Sequence, residues 1–425
     1  MYDVLVIGGG AAGFYAAIHV AQARPKTKIA ILERGKQVLS KVKISGGGRC
    51  NVTHAEFDPA ELVKHYPRGE KELLGPFHRH CSGNTVAFFE EHGIPLKIEE
   101  DGRMFPTSDS SQTIIDFFLE KAHRLGIQVL RHSGVNRIIP IMDSRKSVAW
   151  EVTTVKGTYI SKKILIATGS STKMWKLLED LGHTLVPPVP SLFTFNIKDK
   201  RITGIPGVSN PARVTLLKKG HAPKVTISLR SKVAEKTLLV SEGPLLFTHW
   251  GMSGPAILRL SAWAARILNE YNYRFWIRVN WLPEYHSGSV LPMLMEIKEV
   301  EAKKTVLRTR AVDIPRRLWT NLVRASGIDP QTKWADATKQ QLQHLTEQLT
   351  ESEFLVTGKS TFKEEFVTSG GVALNEIDFK TMRSKVLPQL FFAGEVIDVD
   401  AITGGFNFQN AWTTGFIAAQ GIIDG

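Results

Sequence analysis

The sequence predicts an α/β fold in which a parallel-sheet domain is interrupted by a β-rich plus helical insert. Three observations carry that reading. The chain opens with a strand, a glycine turn, a helix and a second strand; further buried-strand runs occur at 163–168 and 390–394; and the texture changes abruptly after the proline cluster at 186–190. At 425 residues with 43% hydrophobic composition, the chain is longer than one ordinary domain and can bury ample core.

The opening reads as strand Tyr2–Ile7, helix Ala11–Ala23 and strand Lys28–Leu32, a βαβ unit. Gly8-Gly9-Gly10-Ala11-Ala12-Gly13 fits G-x-G-x-x-G. Gly8 permits the tight turn, Gly10 lets the backbone approach a pyrophosphate, and Gly13 lets helix and strand pack. The amides of the helix start, Ala11 and Ala12 among them, then face the phosphates. The pattern alone is weak, because glycines also make plain turns. Here it follows a strand, opens a helix and is trailed by Glu33 at the end of the next strand, which makes a dinucleotide-binding Rossmann unit the better reading. Glu33 suits ribose hydroxyls and repels a 2′-phosphate, favouring FAD or NAD over NADP; Arg34 beside it leaves that exclusion incomplete.

Farther along, Ser111 is the expected N-cap of a helix whose Ile114, Ile115, Phe118 and Ala122 share a face, closed by Gly126. Ile127–Leu130, Val135–Met142, Val148–Val155 and Gly157–Ile160 read as short antiparallel pairs, and Lys163–Thr168 as a buried central strand ending in Ala167-Thr168-Gly169. Val186-Pro187-Pro188-Val189-Pro190 is read as a domain boundary outside any regular element. These marks divide the chain into a discontinuous domain, 1–190 and 355–425, and an insert, 191–354, β-rich over about 191–280 and helical over about 281–354. Leu342, Leu345 and Leu349 stand at helical spacing, and a closing helix is expected from about Phe408.

The far end distinguishes the dinucleotide. Gly394-Glu395-Val396-Ile397-Asp398 places carboxylates, Glu395 and Asp398, after a strand, where they suit ribityl hydroxyls. Thr403-Gly404-Gly405-Phe406-Asn407 leads into a helix whose exposed amides would stabilise the negative charge of a reduced flavin. Either segment alone could be an empty loop; both ends together point to FAD. Between them, Lys41-Val42-Lys43-Ile44-Ser45-Gly46-Gly47-Gly48-Arg49-Cys50-Asn51 reads as an anion-binding loop against the pyrophosphate or flavin edge, with a flexible surface loop as the plainer reading. Cofactor contacts are expected at Lys41, Ser45, Gly46, Gly47, Gly48, Arg49, Cys50 and Asn51, and also at Val135, Thr168 and Gly169.

Composition removes other chemistries. Cys50 and Cys81 are the only cysteines, with no CxxC pair, so a disulfide framework, a zinc site and a dithiol relay lack material; no metal site is expected. The commoner role of Cys50 is packing. No long uncharged apolar run appears, and a cytoplasmic location is expected. The net charge of +13 is concentrated: residues 191–350 hold 24 Lys+Arg against 12 Asp+Glu, and the remainder is nearly balanced. That asymmetry fits an anionic substrate, an acidic surface or nucleic acid, or simply a solvated basic face.

Four stretches together resemble a known family: Ser45–Asn51, Gly102-Arg103-Met104-Phe105-Pro106, Leu246-Phe247-Thr248-His249-Trp250-Gly251-Met252-Ser253-Gly254-Pro255, and Ala393–Asn410. In these the chain is similar, over nearly its whole length, to the BaiN/YhiN-type NAD(P)/FAD-dependent oxidoreductases, bacterial flavoproteins that include aminoacetone-oxidase-like members. The resemblance implies a glutathione-reductase-like Rossmann FAD domain, with the insert covering the substrate side of the flavin. It also implies either reduction of conjugated carbonyl compounds or oxidation of small amines such as aminoacetone, and does not choose between these directions.

The expected reaction is hydride transfer through flavin N5. His249 is the candidate acid or base, against the commoner case of a histidine with no chemistry. Arg103, after the Asp101-Gly102 turn, either meets an anionic substrate or pairs with Glu99 or Glu100 on the surface. Ser253 is the expected cap of a helix starting near Pro255. No second glycine fingerprint occurs, so NAD(P)H would dock transiently as a donor to a protein whose substrate is otherwise a small molecule. A tRNA-directed flavoprotein is the alternative from another class, since the insert is basic and holds six of the nine tryptophans. Oligomeric state has no signature in the sequence.

Overall fold

The computed structural model describes residues 1–142, 148–217, 239–360 and 367–425; the expected β-rich stretch therefore includes a segment, 218–238, outside the described residues. Two compact units emerge, Met1–Pro190 with Lys363–Gly425, and Ser191–Phe362. The expected boundary at 355 falls inside the strand Ser352–Ser360, which belongs to the second unit.

The first unit is built on a sheet in which Leu390–Phe392, Gly157–Ile166, Tyr2–Ile7, Ile29–Leu32 and Gln128–Leu130 run parallel in that spatial order. The central strands read as unbroken apolar runs because helices cover both faces; Val4 to Ile7 and Ile164 to Ile166 are all buried. Helix Ala11–Ala23 packs on the closing helix Phe406–Asp424, and the approach is so close that a Cβ at Gly415 would lie 2.9 Å from the Ala12 carbonyl. Gln128–Leu130 pairs parallel with Ile29–Leu32, which corrects the expected antiparallel pairing; the antiparallel meander is Val135–Met142, Val148–Thr154 and Gly157–Ile166.

Two further local expectations change. Ser110, not Ser111, caps the helix Ser111–Arg124, its hydroxyl accepting the Gln112 N–H, while the Ser111 hydroxyl donates to the Lys43 carbonyl at 2.8 Å. The proline cluster is a strand after all: Leu185–Pro190 pairs antiparallel with Thr368–Val372. The register shifts between Val186 and Val189, so Pro187 and Pro188 occupy an irregularity where no ladder donor is needed.

The second unit is a closed antiparallel barrel of Thr194–Ile197, Gly251–Ser253, Val240–Phe247, Ser209–Leu217, Phe275–Asn280 and Ser352–Ser360. Alternation along Phe275–Asn280 sends Phe275, Ile277 and Val279 inward, as a one-sided strand requires. Helices Ser287–Val300, Arg316–Ala325 and Lys339–Thr350 add their apolar faces to the same core, Leu294, Leu318, Trp319 and Leu345 among them. Helix Pro255–Trp263 starts from Gly254 at φ 87°, and the Ser253 hydroxyl instead accepts from Thr194 at 2.9 Å, correcting the expected cap.

Candidate functional site

The parallel strands deliver their carboxyl ends side by side. Gly8 follows Tyr2–Ile7, Ala167-Thr168-Gly169 follows Gly157–Ile166, and Ala393-Gly394 follows Leu390–Phe392. This is the edge of an open α/β sheet where ligands bind. Gly8 has φ 115°, and a Cβ there would stand 2.3 Å from the Ala167 carbonyl oxygen; at Gly13 it would stand 2.2 Å from the Gly8 oxygen. At Gly10, by contrast, a Cβ would meet nothing within 4 Å. Gly8 and Gly13 are thus required by the protein itself, whereas the space over Gly10 has no protein occupant among the described residues.

Gly10 is also the N-cap of Ala11–Ala23, with no side chain capping it and no acidic residue in the first turn. Ala11 and Ala12 therefore begin an uncapped positive helix end beside that space. Glu33 is set next to it: one carboxylate oxygen accepts the Gly9 N–H at 3.0 Å, the other the Gly35 N–H at 2.7 Å. Each oxygen keeps a lone pair for a ribose hydroxyl. Arg34 is exposed at the same corner, and the Ser133 N–H bond to the Glu33 carbonyl brings Val135 into the sheet beside it.

The second end assembles from residues far apart in sequence. Gly404 and Gly405 have φ 134° and 99°, and Gly405 is the N-cap of Phe406–Asp424, again with no side-chain cap and no acid in the first turn. A Cβ at Gly405 would lie 2.5 Å from the Thr53 carbonyl oxygen. Asn51 accepts the Gly405 N–H at 2.9 Å and donates to the Thr53 carbonyl at 3.0 Å. Asn407 braces the approach, accepting from Ala401 N–H and donating to the Ala401 carbonyl, both at 3.0 Å. Phe406 is buried and stacks on His65 at 4.1 Å.

The Lys41–Asn51 segment is not a loop throughout. A helical start at Ser40 gives way at Ser45 to Gly46, Gly47 and Gly48, all left-handed, and Cys50 has φ 63°. The turn packs on the Arg103–Pro106 strand, where Gly46 faces Phe105 and Val52 N–H bonds the Met104 carbonyl. Two of the four signature stretches therefore touch each other, and Asn51 carries the contact on to a third. Arg49 lies over Phe105 at 3.9 Å and pairs with Glu99 at 2.5 Å; Arg103 pairs with Asp101 at 2.7 Å and Glu99 at 3.1 Å. The ion pair of Arg103 with Glu99, one of its two readings, is present. Cys50 is fully buried, which pushes its thiol up to about 12.

Lys41 pairs with Glu395, whose other oxygen accepts the Thr368 N–H at 2.9 Å, and Asp398 is buried. The Thr168 hydroxyl is buried with no hydrogen-bond partner among the described residues, and Gly169 beside it is left-handed. An orphaned hydroxyl, an open cradle over Gly10, a positioned Glu33 and two uncapped helix ends are what the two halves of an FAD need. The residues present fit that cofactor. Sequence reasoning missed Arg68 and Asp400, a buried bidentate pair that pins the 400–407 approach; nothing local in either residue's neighbourhood signals the other.

In the second unit, Thr248–Gly251 is a tight connection in which the Thr248 hydroxyl accepts the Trp250 and Gly251 N–H groups. His249 is exposed at its tip and Trp250 is 60% exposed. Trp281, Trp319 and Trp334 are buried in the core, so these rings do not form the stacking surface that six insert tryptophans had raised.

The model of the HI0933-like protein Rossmann domain matches residues 2–421. The chain belongs to this family. It is an FAD-dependent oxidoreductase, with the Rossmann FAD domain and barrel insert described above. Full-length relatives include the ribosomal RNA dihydrouridine synthases of Haemophilus influenzae, 27% identical over 98% of each chain, and of Escherichia coli K12, 27% identical over 99% of this chain and 98% of that one. The 3-dehydro-bile acid Δ4,6-reductase of Clostridium scindens is 26% identical over 99% of this chain and 98% of the relative. Among solved structures, the 3-ketosteroid Δ1-dehydrogenase of Sterolibacterium denitrificans aligns over 100% of this chain and 99% of its own, at TM-score 0.49 and 11% identity. No helix among the described residues is long and apolar enough to cross a membrane, and no group of residues there could hold a metal ion.

Proposed function

We propose that this family member is a reductase that saturates a C=C bond conjugated to a carbonyl, with NAD(P)H as transient hydride donor. The observation that carries the proposal is the open start of the helix Phe406–Asp424: its first-turn amides have no side-chain cap and no acid beside them, and they favour a negatively charged reduced flavin. When bound, FAD supplies the N5 position through which hydride passes. The protein's own contribution is to grip the ADP half at Gly10 and Glu33, and to fix the Gly405 N–H, and with it the start of the closing helix, through Asn51.

The names of the relatives support the same reaction type. Dihydrouridine differs from uridine by saturation of a ring C=C bond conjugated to a carbonyl, and a 3-dehydro Δ4,6 bile acid holds a dienone. A base in RNA is the substrate class favoured here, because the second unit lies in the stretch with 24 Lys+Arg against 12 Asp+Glu, and polyanions bind such surfaces. His249 stays the proposed acid or base and Arg103 the proposed contact for an anionic group, each within its own unit, and the cofactor contacts are proposed at the residues of the first unit named above.

The test is anaerobic bleaching of the purified flavoprotein by NADH and NADPH, followed by reoxidation with unmodified ribosomal RNA or a steroid dienone. Bleaching by nicotinamide and reoxidation by either conjugated acceptor supports the reading. Bleaching by aminoacetone, with peroxide formed on re-aeration, would replace it with an amine oxidase.

A further inference from the structure

Helix Arg316–Ala325 divides cleanly into two faces. Leu318, Trp319, Leu322 and Val323 are buried in the core of the second unit, and the opposite face presents Arg316, Arg317, Thr320, Asn321 and Arg324 with no carboxylate among them. Asn321 fastens this face to the Thr203–Ile205 turn, its amide nitrogen donating to the Arg201 carbonyl at 3.0 Å and the Thr203 carbonyl at 3.1 Å. Between helix and turn lies a cavity of about 500 Å³ lined by Thr203–Ile205, the two arginines, Thr320 and Asn321.

The electrostatics of this cavity are one-signed. Arg316 and Arg317 are exposed, and neither guanidinium has an ion pair or hydrogen bond among the described residues. The acid nearest in sequence on the turn side, Asp199, is already satisfied by Arg201, at 2.9 and 2.7 Å. On the helix side Asp313 faces Arg310 at 3.8 Å. The Thr203 and Thr320 hydroxyls already donate to the Asp199 and Arg316 carbonyls, so the recognition falls to the two free planar forks, which match the oxygens of a phosphodiester that guanidinium groups bind bidentately.

We infer that this cavity is a phosphate-backbone subsite for RNA, placed on the barrel unit and separate from the cofactor-binding residues of the first unit. The inference rests on the reading that the substrate base belongs to RNA. A membrane surface fits less well, because the sole large apolar side chain in the lining, Ile205, is 2% exposed and offers nothing to insert.

The experiment is binding of a fluorescent single-stranded oligouridylate to the FAD-loaded protein across a salt series. Arg316→Gln with Arg317→Gln is expected to weaken binding and to make the slope of log K against log salt shallower by about 1.4, the value for two lost single-strand phosphate contacts. Arg24→Gln with Lys26→Gln, the same charge change on exposed residues of the first unit, is expected to leave the slope in place. Arg316→Lys with Arg317→Lys keeps both charges and is expected to keep the wild-type slope, while a thermal melt of the Gln pair that matches wild type shows that it folds. Flavin content and the rate of bleaching by NADPH should match wild type in all three, so failure of the reductase reading is seen separately from failure of this one. An unchanged slope in the Gln pair, an equal loss in the Arg24/Lys26 pair, or binding to phosphatidylglycerol vesicles but not to RNA would each overturn the inference.

Discussion

Asn51 and Gly405 are joined by a 2.9 Å hydrogen bond between the end of the glycine-rich Ser45–Asn51 turn and the start of the closing helix Phe406–Asp424: the Asn51 side chain accepts the Gly405 N–H and donates to the Thr53 carbonyl, which leaves no room for a Cβ at Gly405. The bond aims an uncapped helix end. Replacing Asn51 with Ala is expected to leave the fold intact and weaken FAD binding roughly tenfold, about 1.4 kcal/mol. Titration of FAD into the apoprotein checks this.

Arg68 and Asp400 form the buried pair behind the same approach. Asp400 is fully buried, so Arg68→Ala removes the bidentate guanidinium that faces a buried carboxylate and should cost about 3–5 kcal/mol. Denaturant unfolding of wild type and variant at neutral pH measures the difference.

What was legible in the sequence was what short spacing encodes. Gly8, Gly10, Gly13 and Glu33 lie within one βαβ unit, and their roles follow from local geometry. The contact of Ser45–Asn51 with Arg103–Pro106, the Asn51–Gly405 bond and the Arg68–Asp400 pair all depend on chain closure over long separations, which periodicity does not report. The same holds for Leu185–Pro190: its prolines speak against a strand until Thr368–Val372 supplies a partner whose register shifts around them. The barrel boundary moved for a like reason, since Ser352–Ser360 closes a sheet begun at Thr194.

The two cysteines should differ in reactivity. Burial pushes the Cys50 thiol up to about 12, and Cys81 is only partly buried. Alkylation of the native protein near pH 8 is expected to modify Cys81 and spare Cys50, with both modified after denaturation. Mass spectrometry of the peptides reads the outcome, and rapid native labelling of Cys50 contradicts it.

His19 should make the protein acid-sensitive. Burial, and then the neighbouring His92, lower its pKa from 6.5 to about 4. A depressed folded pKa means the unfolded chain binds the proton first, so the stability is present above pH 6.5 and is lost as pH falls from there toward about 4. His19→Phe, whose ring suits the surrounding Tyr15, Phe88 and Phe416, should flatten that loss by up to about 1.4 kcal/mol per pH unit. Unfolding midpoints at pH 6 and about pH 5 test the slope.

The glycine turn at the head of the chain is proposed to seat FAD, and Gly10 is the residue at which that is tested most directly. A Cβ at Gly10 meets no protein atom within 4 Å, so Gly10→Ala should fold and melt like the apoprotein. The measurement is the visible absorption spectrum of wild type and Gly10→Ala, purified and then incubated with FAD. Wild type is expected to be yellow with one flavin per chain, and the variant folded and colourless. A folded wild type that takes up no FAD, or a variant that holds it as tightly as wild type, would contradict an FAD seat at this turn.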